Sequence, residues 1–235
     1  MPELVGRVAA ITRYPVKSMA GEPLEAAEID WQGIEGDRQY AFVKDADGGR
    51  FPWFTGRDLS DMVRYRARYD DAADPRRSPV TVTAPDGDCW RLGEPALPAR
   101  LAAASGRAVR LIQLGRGTHD AMPLSVVSTA TFAALEAAHG RAVDRRRFRA
   151  NIVVESVGRD EGWVGHRLRF GQDGAALLLA HGAPRCAMVT IDPDTAGRDP
   201  RVLRTVARDF GNSFTTYGAV ARPGLVRLGD PVLVG

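Results

Sequence analysis

The apolar residues of this chain come in short runs, each cut off by Gly, Pro or Asp before it is long enough for a helix. RVAAITRYPV (7–16), LEAAEIDW (24–31), RQYAFVKD (38–45), VTVTAPDGDCWRL (80–92), VRLIQL (109–114), NIVVES (151–156), ALLLA (176–180), AMVTID (187–192) and GLVRLGDPVLV (224–234) read as strands or strand pairs. DADGG (45–49) and APDGD (84–88) carry hairpin-turn chemistry, and the polar DDAADPRRSP (70–79) reads as a surface loop. Two stretches have helical spacing. STATFAALEAAHG (128–140) opens on a possible Ser128 cap, ends at Gly140, and puts Phe132 and Leu135 on one face. DPRVLRTVARDFG (199–211) aligns Val202, Leu203, Val206 and Phe210 and ends at Gly211. Many short strands with few helices predict a mainly β fold with helical insertions (α+β), of β-barrel type. No unit of 20–50 residues repeats.

At 235 residues the chain can bury a core without staples, as one large domain or two small ones. A hydrophobic fraction of 44% and a charged fraction of 26% are those of a soluble globular protein. The pI near 9.1 comes with a net charge of only +3, because arginine does not deprotonate. No basic stripe interleaves with aromatics, so nucleic acid is not an expected partner. No apolar run reaches membrane-span length and the N-terminus has no apolar signal core, so a cytoplasmic protein without membrane partners is expected. Cys89 and Cys186 lie in dissimilar contexts and form no disulfide framework.

The common catalytic signatures are absent from the sequence. It has no dinucleotide-binding glycine fingerprint, no GxxxxGK[ST] loop, no GxSxG elbow, no HExxH, and no cysteine spacing for an iron–sulfur cluster. Its four histidines show no zinc-ligand spacing. What remains is a set of particular strings in fixed order: YPVKS (14–18), GIEGDRQY (33–40), RFRANIVV (147–154), APRCAMVTIDPDT (183–195) and GLVRLGDPV (224–232). Lys17 stands out within them, being one of two lysines among 32 basic side chains.

In this order the strings resemble the MOSC family with its N-terminal β-barrel partner domain, a group that includes the mitochondrial amidoxime-reducing component. The resemblance implies a MOSC β-barrel fold (106–235) packed with an N-terminal β-barrel-like domain (1–105). It also implies a molybdenum cofactor (Mo-molybdopterin), with the metal held by a pterin dithiolene. Cys186 would then be metal ligand and catalytic residue, and thiolate suits a sulfur-coordinated metal. Arg185 beside it would favour the thiolate; read alone, without the matched string, Cys186 is a small apolar residue opening a strand. Lys17, a compact charge on a flexible stem, and Ser18 would reach the phosphate or a ring carbonyl, although a surface lysine at a strand end is the plain alternative. Arg38 would clamp the pterin or its phosphate, unless it serves a structural ion pair. Arg149 and Asn151 match the family's Arg-x-Asn and would hold pterin heteroatoms or the phosphate. Ser128 and Thr129 would offer a helix N-terminus to the phosphate, or simply cap the helix. Tyr217 matches a tyrosine that precedes the closing strand in relatives.

Three readings follow from the resemblance. The first is a molybdenum-dependent oxidoreductase that reduces an N-hydroxylated small-molecule substrate. Its electrons would come from a separate donor protein of ferredoxin, flavoprotein or cytochrome type, since the chain carries no flavin or iron–sulfur signature. The second is a sulfur carrier or sulfurtransferase working through a Cys186 persulfide. The third is a non-catalytic carrier of the cofactor.

Overall fold

The computed structural model describes residues 2–45, 49 and 51–235. Seven strands form a closed barrel: β1 (Glu3–Arg13), β2 (Leu124–Ser128), β3 (Ile152–Glu155), β4 (Arg167–Phe170), β5 (Ala176–Pro184), β6 (Ser213–Arg222) and β7 (Pro231–Val234). Around the ring the order is β3, β2, β6, β5, β4, β7, β1, and β1 closes back onto β3. The fold is therefore α+β and mainly β, as expected. Closure leaves no sheet edge to be protected. β1 comes from the far N-terminus, yet it lies between β3 and β7, pairing Ile11 with Ile152 and Leu4 with Leu233. Gly6 in β1 sits so close to β3 that a Cβ there would fall 2.0 Å from the Glu155 carbonyl oxygen.

Only β2 and β3 run parallel, and a parallel pair needs a crossover. Helix α2 (Thr129–His139) supplies it. Ser128 caps α2 by accepting a hydrogen bond from Thr131 N at 3.0 Å, and Gly140 ends it in a left-handed conformation at φ 79°. The second helix foreseen in the sequence also forms, over Pro200–Asp209 with Asp199 as its cap. A third helix, α1 (Ala96–Ser105), was not foreseen. Its segment carries Pro95 and Pro98 amid alanines, and only Leu97 and Leu101 are buried, too thin a stripe to register as a period.

Alternation along the barrel strands sorts side chains between two cores. Leu124 and Val126 of β2 point inward with Ile11, Ile152, Leu177 and Phe170. Val127 points outward into a second cluster with Phe132, Phe148 and Phe214, which hold helix α2 against the barrel. The N-terminal half builds its own core around Phe42, Phe54, Met62, Leu97 and Leu101. It is framed by three-stranded sheets, one of them Val109–Gln113, Tyr40–Lys44 and Trp53–Phe54.

APDGD forms its hairpin turn between Val80–Thr83 and Cys89–Arg91, whereas most of DADGG lies outside the described residues. AMVTID does not form the expected strand. Ala187–Thr190 is a 3-10 turn, and only Ile191 makes a bridge, to Arg198. The ladder of β5 with β6 ends at the Pro184–Ser213 pair, and the closed barrel has no edge left for this segment to join. Among the described residues no helix is long and apolar enough to cross a membrane.

Candidate functional site

Where the N-terminal half covers the outer wall of the barrel, a cavity of about 290 Å³ opens. Five segments bring side chains singled out in the sequence to its walls. Lys17 and Ser18 follow the end of β1, and Arg38 stands in the turn before Tyr40–Lys44. Arg149 and Asn151 lie between a 3-10 turn and β3. Arg185 and Cys186 follow β5, and Tyr217 lies mid-way along β6. Thus eight of the ten side chains singled out in the sequence meet at one cavity.

The other two, Ser128 and Thr129, are not brought there. The strand period explains why. Ser128 shares the inward face of β2 with Leu124 and Val126, so its hydroxyl meets Thr131 Oγ1 at 3.0 Å, while its backbone N–H donates to the buried Asp160 at 2.9 Å. Thr129 is tied to Ser156. The outward residue of the same strand is Ser125, which pairs with Tyr217 across the ladder and does line the cavity. His119 and Asp120 also line it and were not singled out. They sit in a GTHD string that carries no regular period, and only the fold brings it to Lys17.

Three of the cavity's residues hold backbone conformations that L-residues avoid. Ser18 (φ 68°), Arg38 (φ 51°) and Arg149 (φ 54°) are left-handed without being glycine. Each costs on the order of 1 kcal/mol or more, and such residues concentrate at ligand sites. Thr215, also left-handed at φ 67°, receives a hydrogen bond from Arg185.

The guanidinium groups are fixed before any ligand arrives. Arg38 pairs with Asp37 and donates to Asn151 Oδ1 at 3.2 Å and to the Arg149 carbonyl at 2.9 Å. Asn151 Oδ1 also accepts from Ser125, and its Nδ2 donates to the Thr12 carbonyl, so it joins β1, β2 and Arg38 into one unit. Arg38 and Arg149 both stack on the Tyr14 ring, at 4.6 and 4.2 Å from its centroid. Burial and the neighbouring Arg38 bring Arg149 down to about 10, against the favourable pull of Tyr14. Arg149 donates to the Met19 carbonyl at 2.6 Å, but its Nη2 has no partner. Among the described residues it is the one buried side-chain nitrogen or oxygen left so.

Lys17 is buried, with Nζ 2.5 Å from the Thr118 carbonyl oxygen and 2.8 Å from Asp120 Oδ1. Burial lowers its pKa, and Asp120 opposes that shift. Burial pushes the Asp120 carboxyl up, but Lys17 beside it brings it to a net value below the usual range. Burial, reinforced by Arg38, holds His119 down to about 4, so its imidazole is neutral at pH 7. Arg185 donates to the Phe148 and Phe214 carbonyls and to Thr215, not to the neighbouring thiol. Its role in the structure is to hold the chain that presents Cys186. The Cys186 thiol is exposed and makes no hydrogen bond among the described residues. The half-buried Tyr217 hydroxyl makes no hydrogen bond among the described residues, and burial raises its pKa, so it stays protonated.

The outer wall of the β-barrel thus carries a basic cavity, left-handed backbone at three non-glycine residues and one exposed thiol, an arrangement able to take an anionic group beside a cysteine. The chain belongs to the MOSC family: the MOSC domain model matches residues 114–233 and the MOSC N-terminal beta barrel domain model matches residues 5–116. Mitochondrial amidoxime reducing component 2 of Bos taurus is 24% identical over 284 aligned positions, covering 97% of this chain and 83% of the relative. Mitochondrial amidoxime-reducing component 1 of Mus musculus is 28% identical over 128 positions, covering 48% of this chain and 36% of that protein. The fold is shared with the YUAD protein from Bacillus subtilis, at 16% identity and a TM-score of 0.55, over 100% of this chain and 98% of that one.

Proposed function

We propose that the protein binds a molybdenum cofactor in the 290 Å³ cavity and reduces N-hydroxylated small molecules with electrons from a separate donor protein. The observation that carries this is the convergence of Lys17, Arg38 and Arg149 on the one cavity that also presents Cys186. The donor set suits a phosphorylated pterin. It offers fixed cations for a phosphate, hydroxyls on Ser18 and Tyr217 for ring heteroatoms, and a single soft ligand for a metal. Among the described residues no three His, Cys, Asp or Glu side chains group as a metal cage, so Cys186 suits a metal whose other ligands arrive with it. Arg149 Nη2 supports the fit directly, because a buried donor without a partner carries a desolvation cost that an anionic ligand removes.

When bound, the cofactor supplies two-electron chemistry at its metal. The chain's own residues then have separate tasks. Arg149 would meet the ligand's charge, and Lys17, already paired with Asp120, would donate its remaining ammonium proton to it. Arg38, locked by Asp37 and Asn151, orients it. Cys186, whose thiol is exposed, would hold the metal within reach of a small substrate.

The test is elemental analysis for molybdenum, with fluorescence of the released, oxidised pterin, on protein made in a molybdate-fed, cofactor-competent host. Near-equimolar metal and pterin are expected in the parent. In Cys186→Ala, pterin should remain while the metal is lost or its spectrum changes. With dithionite-reduced viologen as donor, the parent should reduce an aryl amidoxime and the variant should not. A parent with neither metal nor pterin overturns this reading. A persulfide on Cys186 by mass spectrometry would then establish the sulfur-carrier alternative, for which the exposed, unpartnered thiol is the supporting observation.

A further inference from the structure

A second and larger cavity, about 680 Å³, adjoins the first and shares Arg147, Arg149 and Met188 with it. Its size is that of a small-molecule site. Small residues on β1, Ala9 and Ala10, leave the space open, and Phe132, Val153 and Ile191 make its surface apolar. Six arginines line it, and Asp194 is the one carboxylate among its lining residues. Three of these arginines are already neutralised: Arg64 by Asp61, Arg146 by Asp144 and Asp194, and Arg147 by Asp192. Arg66, Arg145 and Arg149 have no carboxylate partner among the described residues. Arg145 instead lies over the Phe132 ring, 5.1 Å from its centroid, and Arg149 keeps its solvent-shielded Nη2 empty.

An apolar cavity with uncompensated guanidinium groups at its margin is complementary to one kind of molecule. We infer that the larger cavity is a separate binding site for an amphipathic carboxylate, an acyl or aryl body lying along Ala10 and Phe132 with its carboxylate at Arg66 and Arg145. A neutral apolar ligand would leave the guanidinium groups without counterions, and a cationic one would be repelled. Planar guanidinium matches carboxylate in bidentate geometry, which makes this head group the favoured one. The inference does not depend on the smaller cavity holding a cofactor.

Calorimetric titration of the full chain with decanoate, decanol and decylammonium tests it. Decanoate should bind, decanol should bind about tenfold or more weakly, and decylammonium should not bind. Decanoate binding should weaken with added salt. The exposed pair Arg66→Glu/Arg145→Glu should weaken decanoate by about tenfold or more, and Ala10→Trp should fill the space and abolish binding, both with unchanged thermal melts. Cys186→Ala should bind decanoate as the parent does. The inference is overturned if the parent does not bind decanoate or binds decylammonium equally well. It is also overturned if the double charge reversal leaves the affinity unchanged, or if Cys186→Ala loses it. The comparison of head groups uses the parent protein alone, so a variant that fails to fold does not remove the test.

Discussion

Lys17 shows how much a single residue type is asked to do. Its ammonium is held between a backbone carbonyl and one carboxylate, contacts set by a compact charge rather than by the longer, planar fork of an arginine. Lys17→Ala should therefore reduce retained pterin about tenfold or more, and Lys17→Arg should not restore it; the fluorescence of the released pterin measures both. A Lys17→Ala protein that loads as well as the parent would remove Lys17 from the site. His119 provides a second test, in solution and without cofactor. Its folded pKa, about 4, lies below the unfolded value of about 6.5. Between those two values the unfolded chain binds the extra proton. This residue's contribution to stability is thus fully present above pH 6.5 and is lost as pH falls towards 4. Going from pH 7 to pH 4.5, the parent should lose about 2 kcal/mol more than His119→Gln does, measured by urea unfolding at each pH. Equal losses in the two proteins would mean that the imidazole is not shielded as the structure shows.

At the scale of elements, Ser128 and Ser125 separate a cap from a cavity wall. Both are on β2, three positions apart, so the period of two turns them to opposite faces. Ser128→Ala removes the acceptor for Thr131 N and should cost about 1 kcal/mol, or about 2–4 °C in Tm for a chain of this size. Pterin content should not change, because Ser128 does not line the cavity. A calorimetric scan and a pterin assay on the same preparation decide between a cap and a cofactor contact. The sequence made α2 legible through Ser128, Phe132, Leu135 and Gly140, since caps and faces are local signals. It also made Lys17, Arg38, Arg149 and Cys186 legible, because each stands in a distinctive string. It did not reveal whether Ser125 or Ser128 faces the cavity, since that depends on register across β2 and β6. Nor did it reveal Asp120, whose importance exists only once Lys17 reaches it over 103 positions of chain. The run AMVTID has strand composition, and only the closure of the barrel denies it a partner.

At the scale of the whole molecule, the two family-model segments meet near residue 115, but the barrel does not divide there. β1 lies inside the matched N-terminal segment and is still a stave of the C-terminal barrel, between β3 and β7. Removing it opens the ring and exposes two strand edges, with the loss of Val8 and Ile11 from the barrel interior. Each of those side chains contributes about 1.5–3 kcal/mol by burial, before any ladder hydrogen bond is counted. Whole domains are stable by only about 5–15 kcal/mol. Residues 106–235 expressed alone should therefore lack a cooperative thermal transition. Joining residues 1–24 to that fragment through a flexible linker should restore one, because it returns β1 to its place. Calorimetry on the two constructed chains measures this directly. A cooperative transition from 106–235 alone would show that the barrel tolerates an open seam, and that the cavity wall formed by Lys17 and Ser18 is added to a barrel already complete.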